Sequence, residues 1–157
     1  GIGGFANMKR AYNVEAVKWY GKAAGNGHGD ASFYLGNLYA AGSIELKQDY
    51  ELALKWYRKA DSLGNIDALN NLGYLHDEGL GTRRDRVKAR DYYTRAAEAG
   101  HAGAQMNLSA YYFEGLGGLK KNLGTALAWA RKAADQGEPG AAEKVGAITK
   151  LMENGKR

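Results

Sequence analysis

Cysteine is absent from the 157 residues, which excludes a disulfide framework, a thiolate metal site and a cysteine nucleophile. Its absence does not fix the compartment, since oxidising and reducing surroundings both tolerate a Cys-free chain. Proline is nearly absent too, with Pro139 alone. No stretch approaches the roughly 18 consecutive apolar residues of a membrane span. The opening Gly1-Ile2-Gly3-Gly4 lacks the basic-then-apolar layout of an export signal. Acidic residues run short, with 17 Asp+Glu against 22 Lys+Arg, and the net charge of +5 invites an anionic partner. Against these shortages stand 23 Gly, 11 Tyr and 3 Trp. A flexible linker would carry Ser and Pro and few aromatics, so glycine at this density beside aromatics of the buried type implies turns at fixed places.

The fixed places are legible as an internal repeat. Gly27, Gly64, Gly100 and Gly137 are spaced 37, 36 and 37, and Ala31, Ala68, Ala104 and Ala141 keep the same spacing. Leu35-Gly36, Leu72-Gly73, Leu108-Ser109 and Val145-Gly146 stay in register with them. Ala16, Ala53, Ala89 and Ala126 are each followed three residues later by Trp19, Trp56, Tyr92 and Trp129. Each unit reads as two helices. Helix A is expected over 30–41, 66–78, 102–114 and 139–153, where apolar residues at i, i+4, i+7 and i+8 form one face. Helix B is expected over 13–25, 50–63, 86–99 and 123–136. Asp49, Asp85 and Asn122 stand ready as N-caps for helix B. Gly64, Gly100 and Gly137 fall where a left-handed turn ends it, and the small residue after the Leu of helix A lets a neighbouring helix come close. Pro139 is expected at the first position of the last helix. The recurring Trp and Tyr residues read as core, which sets Trp56→Ala at about 3–5 kcal/mol.

Ala-x-x-x-Leu-Gly-x-x-Tyr, a Gly-x-Gly loop, an Asp cap and then Ala-x-x-Trp-Tyr-x-Lys-Ala-Ala-x-x-Gly resemble the Sel-1-like repeat (SLR), a relative of the tetratricopeptide repeat. Residues 53–60, Ala-Leu-Lys-Trp-Tyr-Arg-Lys-Ala, carry the likeness best, and it covers essentially residues 1–153. The resemblance implies an all-α fold, a right-handed α/α solenoid (superhelix) of antiparallel helix pairs with 36–37-residue repeats. Residues 1–157 then form one domain: a partial unit 1–27, units at about 28–64, 65–100 and 101–137, and a capping helix 138–153. Gly1–Gly4 aligns with the intra-unit loop Gly115–Gly118, so the chain reads as a fragment of a longer array whose export signal would lie upstream of Gly1.

Catalytic chemistry is sought and not found. His28 and His101 share the slot after the turn glycine, where Asn65 sits in another unit, and read as residues opening helix A. His76 replaces the aromatic of Tyr39 and Tyr112 and reads as partly buried and structural. No His pair or His-plus-carboxylate set has metal-ligand spacing. The glycine strings follow helices rather than strands, against a phosphate loop, and neither Ser43 nor Ser109 lies in a nucleophile elbow. The expectation is no enzyme, no cofactor and no metal.

Residues 83–95 hold six basic and two acidic residues, while helix A at 66–78 carries Asp67, Asp77 and Glu78. In the family resembled, A helices line the concave side and B helices the convex side. An acidic concave side argues against a nucleic-acid groove, and leaves contact with an anionic surface to the convex basic face. The tetratricopeptide register puts Phe33, Asn37, Asn70, Tyr74, Asp77, Met106, Ala110 and Phe113 on the inward positions of helix A. Aromatics, Met and amides in such a row suit an interface core, although Phe33, Met106 and Phe113 equally suit packing between units. The function implied is a non-catalytic scaffold or adaptor for a protein or peptide partner, in bacterial envelope, virulence or signalling processes, periplasmic or secreted. The alternatives are an immunity protein against a secreted toxin and the regulatory subunit of an enzyme.

Overall fold

The computed structural model describes residues 3–43 and 46–155, with side chains from Val14 onward. Every element among the described residues is a helix, and the chain divides into two compact units, Gly1–Arg84 and Asp85–Arg157. The first holds α1 (Gly3–Gly25), α2 (Gly29–Ala41), α3 (Tyr50–Ser62) and α4 (Ile66–Glu78). The second holds α5 (Arg86–Glu98), α6 (Ala102–Glu114), α7 (Leu123–Asp135) and α8 (Ala141–Asn154). The fold is all-α, built from hairpins of the α/α solenoid class.

Side-chain caps set the helix starts. Asp49, Asp85 and Asn122 accept hydrogen bonds through Oδ1 from the backbone N–H of Leu52, Lys88 and Thr125 at 2.9, 3.0 and 2.9 Å. Each bond satisfies an amide that the first turn would leave orphaned. Asn65 and His101 do the same for α4 and α6, His101 through Nδ1 at 3.0 Å from Ala104 N–H. His28 holds the same slot before α2 without a side-chain cap bond. One turn design ends all four B helices. Gly27, Gly64, Gly100 and Gly137 have φ of 87°, 85°, 97° and 76°. The next residue's N–H donates to the carbonyl five positions back: His28 to Ala23, Asn65 to Ala60, His101 to Ala96 and Glu138 to Ala133. This is the Schellman arrangement, and its left-handed residue needs to lack a Cβ.

Two expectations fail at the ends. Helix α1 begins at Gly3, so Gly3 and Gly4 are helical rather than part of a loop; Gly1 and Ile2 lie outside the described residues. No proline interrupts residues 5–12, which include Ala6, Met8, Lys9, Arg10 and Ala11, all good helix formers. The helix therefore runs through Tyr12, which holds the slot that Asp49, Asp85 and Asn122 fill as caps in its counterparts. Pro139 does not open α8 either. It sits with Gly140 (φ 77°, ψ −6°) in a turn closed by Ala141 N–H donating to Glu138 O at 3.1 Å, the dihedrals of a type II turn with Pro at its second position.

In the first unit Ala24, Ala31 and Leu35 form a buried cluster, with Val17, Tyr20, Tyr39 and Trp56 packed around it. In the second, Ala126, Ala130 and Ile148 do so, bordered by Tyr112, Phe113, Leu127, Val145 and Met152. His76 is buried, more deeply than its sequence slot suggested.

The Trp row is not the innermost core. Trp19 is 65% exposed, and Trp56, Tyr92 and Trp129 are half-buried. The adjacent row is the buried one, with Tyr57 and Tyr93 each 2% exposed. A helix turns about 100° per residue, so only one of two neighbouring aromatics faces inward. The half-buried rings instead lie under cations three residues on: Lys59 Nζ 5.4 Å from the Trp56 ring centre, Arg95 Cζ 5.9 Å from Tyr92, and Lys132 Nζ 4.1 Å from Trp129.

The small residue of helix A does admit a neighbour. The Tyr57 ring lies against Gly36, where a Cβ would meet Cδ1 at 2.5 Å. Ser109 donates through Oγ to Ala126 O at 2.8 Å.

Candidate protein-binding site

Three helices of the first unit enclose a hollow of about 390 Å3. Helix α2 contributes Asn37, Ala40 and Ala41, α3 contributes Tyr50 and Tyr57, and α4 contributes Asn71, Tyr74 and Leu75. Because Gly36 lets the Tyr57 ring sink against α2, the phenol reaches Asn37 and donates to its Oδ1 at 2.7 Å. Asn71 Nδ2 donates to the same oxygen at 3.1 Å. Burial pushes the Tyr57 phenol up to about 12, opposed by a smaller downward pull from Asn71. With Asn37 Oδ1 doubly engaged, the Asn37 amide protons and the Asn71 oxygen make no hydrogen bond among the described residues. A donor and an acceptor therefore stay open beside Tyr74, which is 52% exposed. At the rim, Gln48 Nε2 donates to Ala40 O at 2.8 Å and to Tyr50 Oη at 3.0 Å.

The expected site residues divide accordingly. Asn37 and Tyr74 meet in this hollow. Phe33 is half-buried and packs its ring 6.0 Å from that of Tyr57 and 5.6 Å from that of Tyr34, which in turn stacks on Tyr20 at 5.2 Å. Asn70 and Asp77 are half-buried on α4 outside the lining, and the Asp77 carbonyl accepts from Arg84 Nε at 2.7 Å. Met106 and Phe113 belong to the second unit, Met106 half-buried on α6. Phe113 borders the Ile148 cluster and lines a second hollow of about 350 Å3 with Gly140, Glu143, Lys144, Ala147 and Ile148. Sequence reasoning missed Asn71, Tyr57 and Tyr50. The available signal for the first was Asn107, which repeats Asn71 one unit later.

Within the basic stretch 83–95, Arg90 is committed internally. Its Nη1 donates to Gly117 O at 2.7 Å and its Nη2 pairs with Asp91 at 2.8 Å, tying the α6–α7 loop to α5. Gly117 (φ 59°) comes so close to α5 that a Cβ would lie 2.5 Å from Arg86 O. No group of three or more His, Asp or Glu among the described residues could hold a metal ion. No helix among them is long and apolar enough to cross a membrane.

The Sel1 repeat model matches residues 1–28, 29–65, 66–101 and 102–138. Three bacterial structures are similar. A Sel1 repeat protein from Oxalobacter formigenes is 36% identical with a TM-score of 0.79, over 88% of this chain and 54% of that one. A protective antigen present in uropathogenic Escherichia coli strains, with an SLR fold, is 30% identical with a TM-score of 0.77, over 84% of this chain and 28% of that one. Cysteine rich protein B of Helicobacter pylori, 21% identical with a TM-score of 0.65 over 83% of this chain and 92% of that one, shares the fold. The chain thus spans about half the length of the first and less of the second. No curated protein matches it. Sel1 repeat proteins generally mediate protein–protein interaction and are generally non-catalytic. With the repeat matched in four successive copies, the chain belongs to the Sel1 repeat family.

Proposed function

We propose that this protein is a non-catalytic scaffold that holds a protein or peptide partner on its A helices, with the hollow of the first unit as a contact point. The observation that carries this reading is the open donor and acceptor of Asn37 and Asn71 beside exposed Tyr74. A peptide group offers the complementary acceptor and donor, and Tyr74 supplies an apolar wall of low conformational-entropy cost. The pair is pre-organised, since Tyr57 and Asn71 already hold Asn37 in place, which lowers the ordering cost of binding. The likeness to a protective antigen supports a bacterial envelope or secreted setting.

Selection from a random peptide library on the whole chain tests this. Enriched peptides should lose at least about tenfold in affinity, or 1.4 kcal/mol, with Asn37→Ala or Tyr74→Ala. Tyr74→Ala should leave the melting temperature nearly unchanged, because the ring is half exposed. Peptides that bind both variants as well as the parent would remove the hollow from the reading.

A further inference from the structure

The second unit's hollow occupies the same slot of the repeat as the first unit's, with its chemistry changed. Adding 73 to Ala40, Asn71, Tyr74 and Leu75 gives Phe113, Lys144, Ala147 and Ile148, so four lining positions correspond. Amide has become ammonium, and a methyl has become an aromatic ring. Two cations gather on that ring, Lys144 Nζ at 5.5 Å and Lys121 Nζ at 5.6 Å from the Phe113 centroid. Neither lysine is paired with a carboxylate among the described residues. The quadrupole of one ring attracts each ammonium, and a carboxylate supplied by a partner would give either lysine the charge partner that the described residues do not. The surplus charge lies in this unit: residues 85–157 hold twelve Lys+Arg against eight Asp+Glu, which is four of the chain's +5.

We propose that this hollow binds an acidic peptide segment, its carboxylates on Lys144 of the lining and on Lys121, which lies outside the lining by the Phe113 ring, and a neighbouring apolar side chain against Phe113, Ala147 and Ile148. The apolar lining decides against a polyphosphate chain, which has nothing to place there, and Glu143 at the hollow repels continuous negative charge. The proposal rests on the reading of the A helices as a partner surface and assigns the partner's chemistry at one point of it.

The test uses the whole chain and a fluorescently labelled peptide alternating Glu and Leu, its counterpart with Gln in place of Glu, and an oligothymidylate as polyphosphate probe. The Glu peptide should bind, weaken with added salt, and lose about tenfold with Lys121→Gln plus Lys144→Gln. The Gln peptide should bind about tenfold more weakly than the Glu peptide, and Phe113→Leu should weaken the Glu peptide severalfold. Circular dichroism melting confirms that the variants fold. A charge-matched control on exposed lysines of α1 and α3, Lys22→Gln plus Lys55→Gln, should leave Glu-peptide binding unchanged. If Asn37→Ala with Tyr74→Ala abolishes Glu-peptide binding while Lys121→Gln plus Lys144→Gln does not, the acidic site is overturned and the first hollow stands. Equal binding of the Glu and Gln peptides, absence of any peptide binding, or an oligothymidylate that binds as tightly and ignores Phe113→Leu would each overturn the proposal.

Discussion

Replacing Gly36 by Ala sets two opposed effects against each other. Inside a helix the exchange gains about 1 kcal/mol in intrinsic propensity. The added methyl, however, would meet Tyr57 Cδ1 at 2.5 Å and Cζ at 3.0 Å, where carbon atoms prefer about 3.5–4.0 Å. The ring has little room to yield, being 2% exposed, bonded to Asn37 at 2.7 Å and packed 6.0 Å from Phe33. Overpacking of this kind costs about 1–3 kcal/mol, and losing the phenol bond adds about 0.5–1.5 kcal/mol. The expected net loss is about 1–3 kcal/mol. At this chain length each kcal/mol moves the melting temperature by about 2–4 °C, so calorimetry or urea titration resolves it. Gly146→Ala is the control, since nothing lies within 4 Å of its would-be Cβ and no positive φ opposes it. It should stabilise by up to about 1 kcal/mol. In a Tyr57→Leu background the Gly36→Ala penalty should shrink, read as coupling in a double-mutant cycle. A Gly36→Ala protein that melts at or above the parent temperature would refute the argument that ring and helix are in forced contact.

The raised Tyr57 pKa makes a signed prediction. Stability is fully present below the unfolded phenol value of about 10 and falls as pH climbs through the folded value of about 12, by no more than about 2.7 kcal/mol across that window. Tyr57→Phe should remove this part of the alkaline loss, measured by urea unfolding at stepped pH. Asp85→Ala should cost about 1 kcal/mol through loss of the Lys88 N–H bond, whereas Asp85→Asn keeps an accepting oxygen and should be nearly neutral in thermal melts. Trp19→Ala should change stability by less than about 0.5 kcal/mol, as exposed sites do. Half-buried Trp56→Ala should cost about 1–2 kcal/mol, below the usual range for a core tryptophan; equal losses at the two sites would contradict the exposure difference.

Helix placement was legible because its determinants are local. A cap such as Asp85 and a turn glycine such as Gly64 act on backbone groups within a few residues, so identity and spacing suffice. Facing is not local. Recurrence of Trp56 and Tyr57 shows that the geometry repeats, but not which of the two points inward, and that rotation depends on how α3 meets α2. The same rotation separates Asn70, read as a site residue, from Asn71, which reaches Asn37. Tyr57 was read as core and is core, yet its hydroxyl emerges in the hollow, because a side chain buried at its ring can serve a surface at its tip. The start of α1 follows the same local rule: Tyr12, in the slot of Asp49, Asp85 and Asn122, is not a capping residue type, and the helix continues through it.

The cations over Trp56, Tyr92 and Trp129 bear on how the molecule behaves in concentrated solution. Each cation takes a ring face that a neighbouring molecule could otherwise use, so part of the indole and phenol surface is already engaged from within its own helix. Acetylating Lys59 and Lys132 would take the charge off the Trp56 and Trp129 rings, and light scattering should then register more self-association than in the unmodified chain.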